Sequence, residues 1–184
     1  MNGQSSDADC AFLAISDIGN EGGKALAAAF TKGAMPGLEE LRLSGNSLGD
    51  EALSALAPSL AYLLKIRELN LDDNLIEDDG VLALAHAVRN GWLKTLRLLA
   101  LDDNMITDVG ASAIGKAAVR KEVLPVLEDL DLDGNEIGKE GFNEFASALV
   151  AGGMPSLKIF DVDPEMIDHP SLKAICDLRG ISVK

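Results

Sequence analysis

Histidine, cysteine and aromatic side chains are all scarce in this 184-residue chain, and so is positive charge. Two cysteines, Cys10 and Cys176, are too few for a disulfide framework, so a reducing, intracellular compartment is expected, the cytoplasm first, with the nucleus left open. The two histidines, His86 and His169, lie far apart in the chain, and nothing assembles a Ser/His/Asp or Cys/His group around either. No Gly-rich phosphate loop follows a strand. Catalysis, a cofactor and a resident metal are therefore not expected. Lys plus Arg number 16 against 30 for Asp plus Glu, a formal charge of −14 that repels nucleic acid and anionic membrane surfaces as main partners. No apolar run approaches the ~20 residues that span a bilayer. The opening residues lack a positive n-region, so no secretory leader is expected, and no Asn-x-Ser/Thr acceptor occurs. With 47% hydrophobic and 25% charged residues, the composition fits one folded domain.

What the chain does have is a repeat. Leu38, Leu41, Leu43, Asn46 and Leu48 follow the spacing L-x-x-L-x-L-x-x-N-x-L. The spacing returns as Ile66, Leu69, Leu71, Asn74, Ile76; as Leu96, Leu99, Leu101, Asn104, Ile106; and as Leu127, Leu130, Leu132, Asn135, Ile137. Successive asparagines are 28, 30 and 31 residues apart, room for one strand and one helix per unit. Weaker copies flank these four: Leu13, Ser16, Ile18, Gly22 at one end and Leu157, Phe160, Val162, Ile167 at the other. Gly180-Ile181-Ser182-Val183 offers a last short strand. Residues 1–10 read as an extension and 11–184 as one domain of about six repeats, the terminal ones degenerate.

Within a unit, the L-x-L core alternates as a strand with one buried face requires. Four residues past each ladder position stand Asn20, Asp50, Asp78 and Asp108, read as N-caps because their side-chain oxygens can accept free backbone N–H groups. His169 takes that place in the last unit, with Pro170 at the first helical position. The helices are rich in Ala and Leu, as in residues 81–88, so that neighbouring helices can approach closely. Gly22, Gly80, Gly110 and Gly141 recur at one register near each helix start, which reads as backbone clearance. Strand–helix–strand units of this length need crossovers, which are right-handed, placing a parallel sheet on one side and helices on the other.

The pattern resembles the leucine-rich repeats of the ribonuclease-inhibitor type. That resemblance implies a right-handed α/β solenoid, a horseshoe with the parallel sheet on its concave face and helices on its convex face, and a role in protein binding. It also implies that Asn46, Asn74, Asn104 and Asn135 form a structural ladder, bonding backbone groups where the chain leaves each strand. Ser16 and Glu165 hold the ladder position in the terminal units, as suits capping repeats.

Between the buried leucines, the residues facing the open side of the sheet are Glu40, Arg42, Ser44; Glu68, Asn70, Asp72; Leu98, Ala100, Asp102; Asp129, Asp131, Asp133; and Ile159, Asp161, Asp163. Nine are acidic and one is basic. With strands ~4.8 Å apart, Asp72, Asp102, Asp133 and Asp163 would form a row in which adjacent charges repel by roughly 0.8 kcal/mol in water. Solubility alone needs no such row, since uncharged polar residues would serve without the repulsion. The face therefore reads as a docking surface for a basic protein or peptide. Its expected contacts are Glu40, Glu68, Asp72, Asp102, Asp129, Asp131, Asp133, Asp161 and Asp163, with Leu98, Ala100 and Ile159 as apolar spots among them. Arg67, Arg97 and Lys158, at the opposite strand ends, are expected to neutralise part of this field. Mutual repulsion should raise the pKa of several aspartates.

Other motifs give way to the repeat. Asp129-x-Asp131-x-Asp133-Gly134-x5-Glu140 fits the twelve-residue calcium-loop pattern. The same segment carries Leu127, Leu130, Leu132 and Asn135, and on a strand its aspartates would lie in a line rather than around one ion. Trp92, after the third helix, reads as a wedge between repeats. Residues 127–141 are similar to units of the Ran GTPase-activating proteins, a resemblance that implies GTPase regulation as an alternative function. No residue here aligns with the activating arginine of that group. The short arrays of the tropomodulin group are similar too, and imply cytoskeletal capping as a further alternative.

Overall fold

The structure is a computed structural model and describes residues 10–184. Its elements are β1 (Cys10–Phe12), α1 (Gly19–Thr31), β2 (Glu40–Arg42), α2 (Asp50–Ser59), β3 (Glu68–Asn70), α3 (Asp78–Arg89), β4 (Leu98–Ala100), α4 (Asp108–Ala118), β5 (Asp129–Asp131), α5 (Lys139–Val150), β6 (Ile159–Asp161), α6 (Pro170–Arg179) and β7 (Ser182–Val183). All seven strands are parallel and lie in chain order in one sheet. The expected α/β solenoid is what forms, and residues 180–183 supply the last strand as the sequence suggested. At the other end β1 opens on Cys10, within the stretch expected to be an extension, and Ala11 takes the register that Leu41 holds next door. Residues 1–9 of that extension lie outside the described residues.

One residue per strand faces inward in register: Leu41, Leu69, Leu99, Leu130 and Phe160, each at most 2% exposed. They pack with helix residues such as Ala52, Ala85, Ala111 and Ala146, small enough for the helices to sit close to the sheet and to one another. At the C-terminal end Phe142, Phe145 and Phe160 fill the core instead, with ring centroids 5.3–6.4 Å apart. Cys176 is buried there, and burial pushes its thiol up to about 11, which suits a packing residue. Trp92 packs against the core and edge-on to His86 of its own repeat, at 6.0 Å.

Each ladder asparagine spans two repeats. The Asn74 Nδ2 donates to Leu43 and Leu71 carbonyls at 3.0 and 2.9 Å, while its Oδ1 accepts from the Asn46 and Leu48 backbone N–H groups. Asn104 donates to Leu71 and Leu101 and accepts from Ile76; Asn135 donates to Leu101 and Leu132 and accepts from Ile106. Asn46 likewise reaches Leu13 and accepts from the Ser16 N–H.

The N-cap reading needs correction. The residues with cap geometry before α2, α3, α4 and α5 are Gly49, Glu77, Thr107 and Gly138, and Asn20, Asp50, Asp78 and Asp108 already lie inside their helices. Their side chains serve the next repeat instead. Asn20 Oδ1 accepts from the Gly49 N–H at 2.7 Å, and Asp50 Oδ1 from Glu77 at 2.9 Å. Asp78 Oδ1 accepts from Thr107 and Gly110, both at 2.9 Å, and Asp108 Oδ1 from Gly138 and Gly141 at 2.8 and 2.7 Å. A carboxylate thus meets the orphan donors of the neighbouring helix, where the helix dipole also favours it. This explains the recurrent glycine: a Cβ on Gly80, Gly110 or Gly141 would stand 2.6–2.8 Å from the oxygen of Asp50, Asp78 or Asp108. The relay stops at Lys139, which opens α5. His169 stands at the N-cap of α6 but makes no side-chain cap bond, and its Nδ1 is buried without a partner. The last repeat is held from the other direction, by Arg179 donating to the Leu149, Gly153 and Met154 carbonyls of its neighbour.

Asp78→Ala should therefore destabilise the protein by about 1–2 kcal/mol, with the damage one repeat away. Hydrogen exchange should speed up at the Thr107 and Gly110 amides while the first turn of α3 keeps its protection. Loss of protection at the start of α3 instead would show that Asp78 caps its own helix.

Candidate functional site: the open face of the sheet

Strand register sorts the outward residues into three rows. Glu40, Glu68, Leu98, Asp129 and Ile159 pair across the first, and Arg42, Asn70, Ala100, Asp131 and Asp161 across the second. Ser44, Asp72, Asp102, Asp133 and Asp163 follow just past the strands. The residues named from the sequence for this face share it, yet their charges are not equally free. Arg42 Nη2 lies 3.1 Å from Glu40 and 3.0 Å from Glu68, so the first repeats are close to neutral. Arg67, Arg97 and Lys158, expected to neutralise part of the field, are paired with glutamates instead. Arg67 binds Glu39 at 3.1 Å, and Glu128 takes both Arg97 at 2.5 Å and Lys158 at 2.6 Å. A glutamate just before the strand is closer to these cations than the aspartates beyond it.

The acid is consequently concentrated over β4–β6. Among the described residues, no ion pair within 4 Å involves Asp72, Asp102, Asp129, Asp131, Asp133, Asp161 or Asp163. Asp102, Asp131, Asp133 and Asp161 line a depression of about 350 Å³ that Lys184, brought in behind β7, also borders. That lysine was not singled out from the sequence, because only the pairing of β7 with β6 carries the chain end to this place. A second depression, of about 290 Å³, is lined by Leu98 and Ile159 with Asp129, Glu68 and the Arg97–Glu128–Lys158 set. The calcium-loop residues are strung along β5, the turn at Gly134 and the first turn of α5, with Leu130 buried between Asp129 and Asp131.

Burial is the first cause of the raised pKa values here, and the neighbouring charge expected to dominate comes second. Asp72 is pushed up to about 8 by burial and then by Asp102 within hydrogen-bond reach, against the pull of the Asn70 amide that donates to it. Its Oδ1 is buried without a partner. Asp131 rises to about 6 through burial and the charges of Asp102, Asp161 and Asp133, opposed by the Asp133 N–H at 3.2 Å. Burial also raises Asp129 and Asp163, with Asp161 and Asp133 respectively adding to it. Burial and the neighbouring Asp102 thus both disfavour the charged form of Asp72.

A carboxyl whose folded pKa exceeds its unfolded value of about 4 binds protons more tightly when folded. Its effect favours the fold at low pH and is lost as pH rises through about 6 for Asp131 and about 8 for Asp72. The melting temperature should accordingly rise as pH falls from 8 to 5. Asp72→Asn should melt higher than wild type at pH 8 and show a flatter profile. A monotonic fall in melting temperature across that window contradicts the assignment.

Comparison with known proteins agrees with this architecture. Residues 36–57, 62–85, 93–115 and 123–146 match the leucine-rich repeat family. RAN GTPase-activating protein 2 of Arabidopsis thaliana is 30% identical over 151 residues, covering 82% of this chain and 25% of that protein. The chain thus spans about a quarter of the length of the curated relative it matches. Among solved structures, Leiomodin-1 actin-binding site 2 is similar with a TM-score of 0.64 at 20% identity, over 83% of this chain and 88% of that one, a likeness of fold. The chain belongs to the leucine-rich repeat family, in its ribonuclease-inhibitor-like form.

Proposed function

We propose that this chain is a protein-interaction module without catalysis of its own, and that its sheet face receives a basic segment of a partner protein. The observation that carries this reading is the cluster of Asp102, Asp131, Asp133 and Asp161 around one depression, beside a second depression lined by Leu98 and Ile159. The fold does not require the acidic cluster, whose charges oppose one another. A lysine or arginine entering it relieves that repulsion and displaces the protons held by the raised carboxyls, so binding is coupled to proton release and weakens on acidification. Leu98 and Ile159 supply apolar area to bury, and the aspartate cluster beside them selects against an acidic competitor. No helix among the described residues is long and apolar enough to cross a membrane.

The test uses peptides selected from a displayed random library on the wild-type chain. They should be rich in Lys and Arg and bind more weakly at high salt. Asp102→Lys with Asp133→Lys should weaken them about tenfold or more. Glu122→Lys with Asp177→Lys, an equal change in net charge at exposed positions away from the face, should leave them within about twofold. Equal weakening by both pairs, or selected peptides without basic residues, overturns the reading.

A second reading, GTPase regulation, is favoured by the 30% identity to a RAN GTPase-activating protein over most of this chain. Single-turnover GTP hydrolysis by a Ran-type GTPase decides it. The interaction-module reading expects an unchanged rate, and acceleration by catalytic amounts of the chain would establish the second reading over the first.

A further inference from the structure

Where each strand gives way to its helix, the chain runs along one lateral edge of the sheet, and the repeats can be compared there residue for residue. Just after each ladder asparagine stand Ser47, Leu75, Met105 and Glu136, all exposed. Just before it stand Gly45, Asp73, Asp103 and Gly134, all at positive φ (65, 50, 50 and 66°). The outer two repeats thus carry glycine in the left-handed conformation before the asparagine and a polar side chain in solvent after it, Ser47 itself also lying at positive φ (53°). The central two depart from this at both positions. Leu75 and Met105 are 52% and 37% exposed and lie outside the core, so the fold gains little from their being apolar.

These departures adjoin. The Leu75 N–H donates to Leu48 at 2.8 Å, the Met105 N–H to Ile76 at 2.9 Å and the Asp73 N–H to Asp102 at 3.0 Å, which makes the loops consecutive rungs. Met105 is thus bonded beside Ile76, the residue that follows Leu75, so the two apolar side chains stand on neighbouring rungs of this edge, with Asp73 and Asp103 just before them in each loop. Next to Leu75, the small residues Gly45 and Ser47 leave a notch of about 180 Å³ that Asp73 also lines. Ile15 flanks Gly45 on its other side and is itself exposed.

We propose that this edge is a second docking surface, on which Leu75 and Met105 receive apolar side chains of a partner-protein segment while Asp73 and Asp103 receive its Lys or Arg. The occupant follows from charge complementarity. An apolar pair bordered by two carboxylates accepts a segment that mixes aliphatic and cationic side chains, and a lysine stem in the notch over Gly45 satisfies both demands at once. The edge adjoins the sheet face but does not depend on that face being used.

The sibling repeats supply the test variants. Leu75→Ser with Met105→Ser installs the residue already present at position 47, and Asp73→Gly with Asp103→Gly installs that of positions 45 and 134. The glycine pair relieves left-handed backbone and like charge, so its melting temperature should stay level or rise. Peptides selected on the wild-type chain should combine Lys or Arg with Leu, Ile, Met or Phe. Each double variant should weaken them about tenfold or more, whereas Glu122→Gln with Asp177→Asn should change them less than about twofold. Peptides weakened by Asp102→Lys with Asp133→Lys but indifferent to both edge pairs would overturn this proposal and leave the sheet-face reading standing. Peptides weakened only by the edge pairs would do the reverse. A concentration-dependent wild-type dimer that Leu75→Ser with Met105→Ser dissolves would assign the edge to a second copy of the chain and overturn the proposal.

Discussion

The fold depends on short polar side chains that satisfy backbone groups in the repeat next door. A three-residue strand and a helix of about three turns cannot bury their own ends, and an orphaned backbone donor or acceptor costs about as much as a lost hydrogen bond. Asn46, Asn74, Asn104 and Asn135 meet this demand where the chain leaves the sheet. Asn20, Asp50, Asp78 and Asp108 meet it where the helices begin. Both sets act between units, so the stability of each repeat is bound to its neighbour's presence, as in a one-dimensional array.

The same geometry creates the candidate site. Because every unit presents its strand in the same register, any residue type repeated at one outward position becomes a row at the spacing of the strands. Aspartate there collects charge faster than the sheet can dissipate it. The first repeats relieve this with Arg42, and the flanking cations are spent on Glu39 and Glu128. What remains over β4–β6 is a cluster of aspartates outside any ion pair within 4 Å, and burial beside it holds Asp131, and Asp72 just past β3, above the usual carboxylate range.

Much of this was legible from spacing alone. The period, the buried leucines and the outward rows follow from alternation along a strand, and the likeness of the repeat to known families supplied the solenoid. The sequence also marked Asp50, Asp78 and Asp108 as capping residues, but not for which helix, because the choice rests on how neighbouring repeats overlap rather than on local order. Residues that act across units were the hardest to read. Glu128 captures two cations from adjacent strands, and Lys184 reaches the acidic cluster only through the pairing of β7. The dominance of burial over repulsion in setting the aspartate pKa values was likewise hidden, since depth in the sheet is not written in charge spacing.

One seam differs from the rest. Forward clamps join the first five helices in succession, and Lys139 ends the series, leaving the final unit tethered backward by the guanidinium of Arg179 on three carbonyls. A planar cation gripping a helix end is a different kind of latch from a carboxylate seated under glycine. The junction between these two units therefore answers to the reach of one long side chain, whereas the junctions before it answer to short carboxylate and amide groups fixed at each helix start.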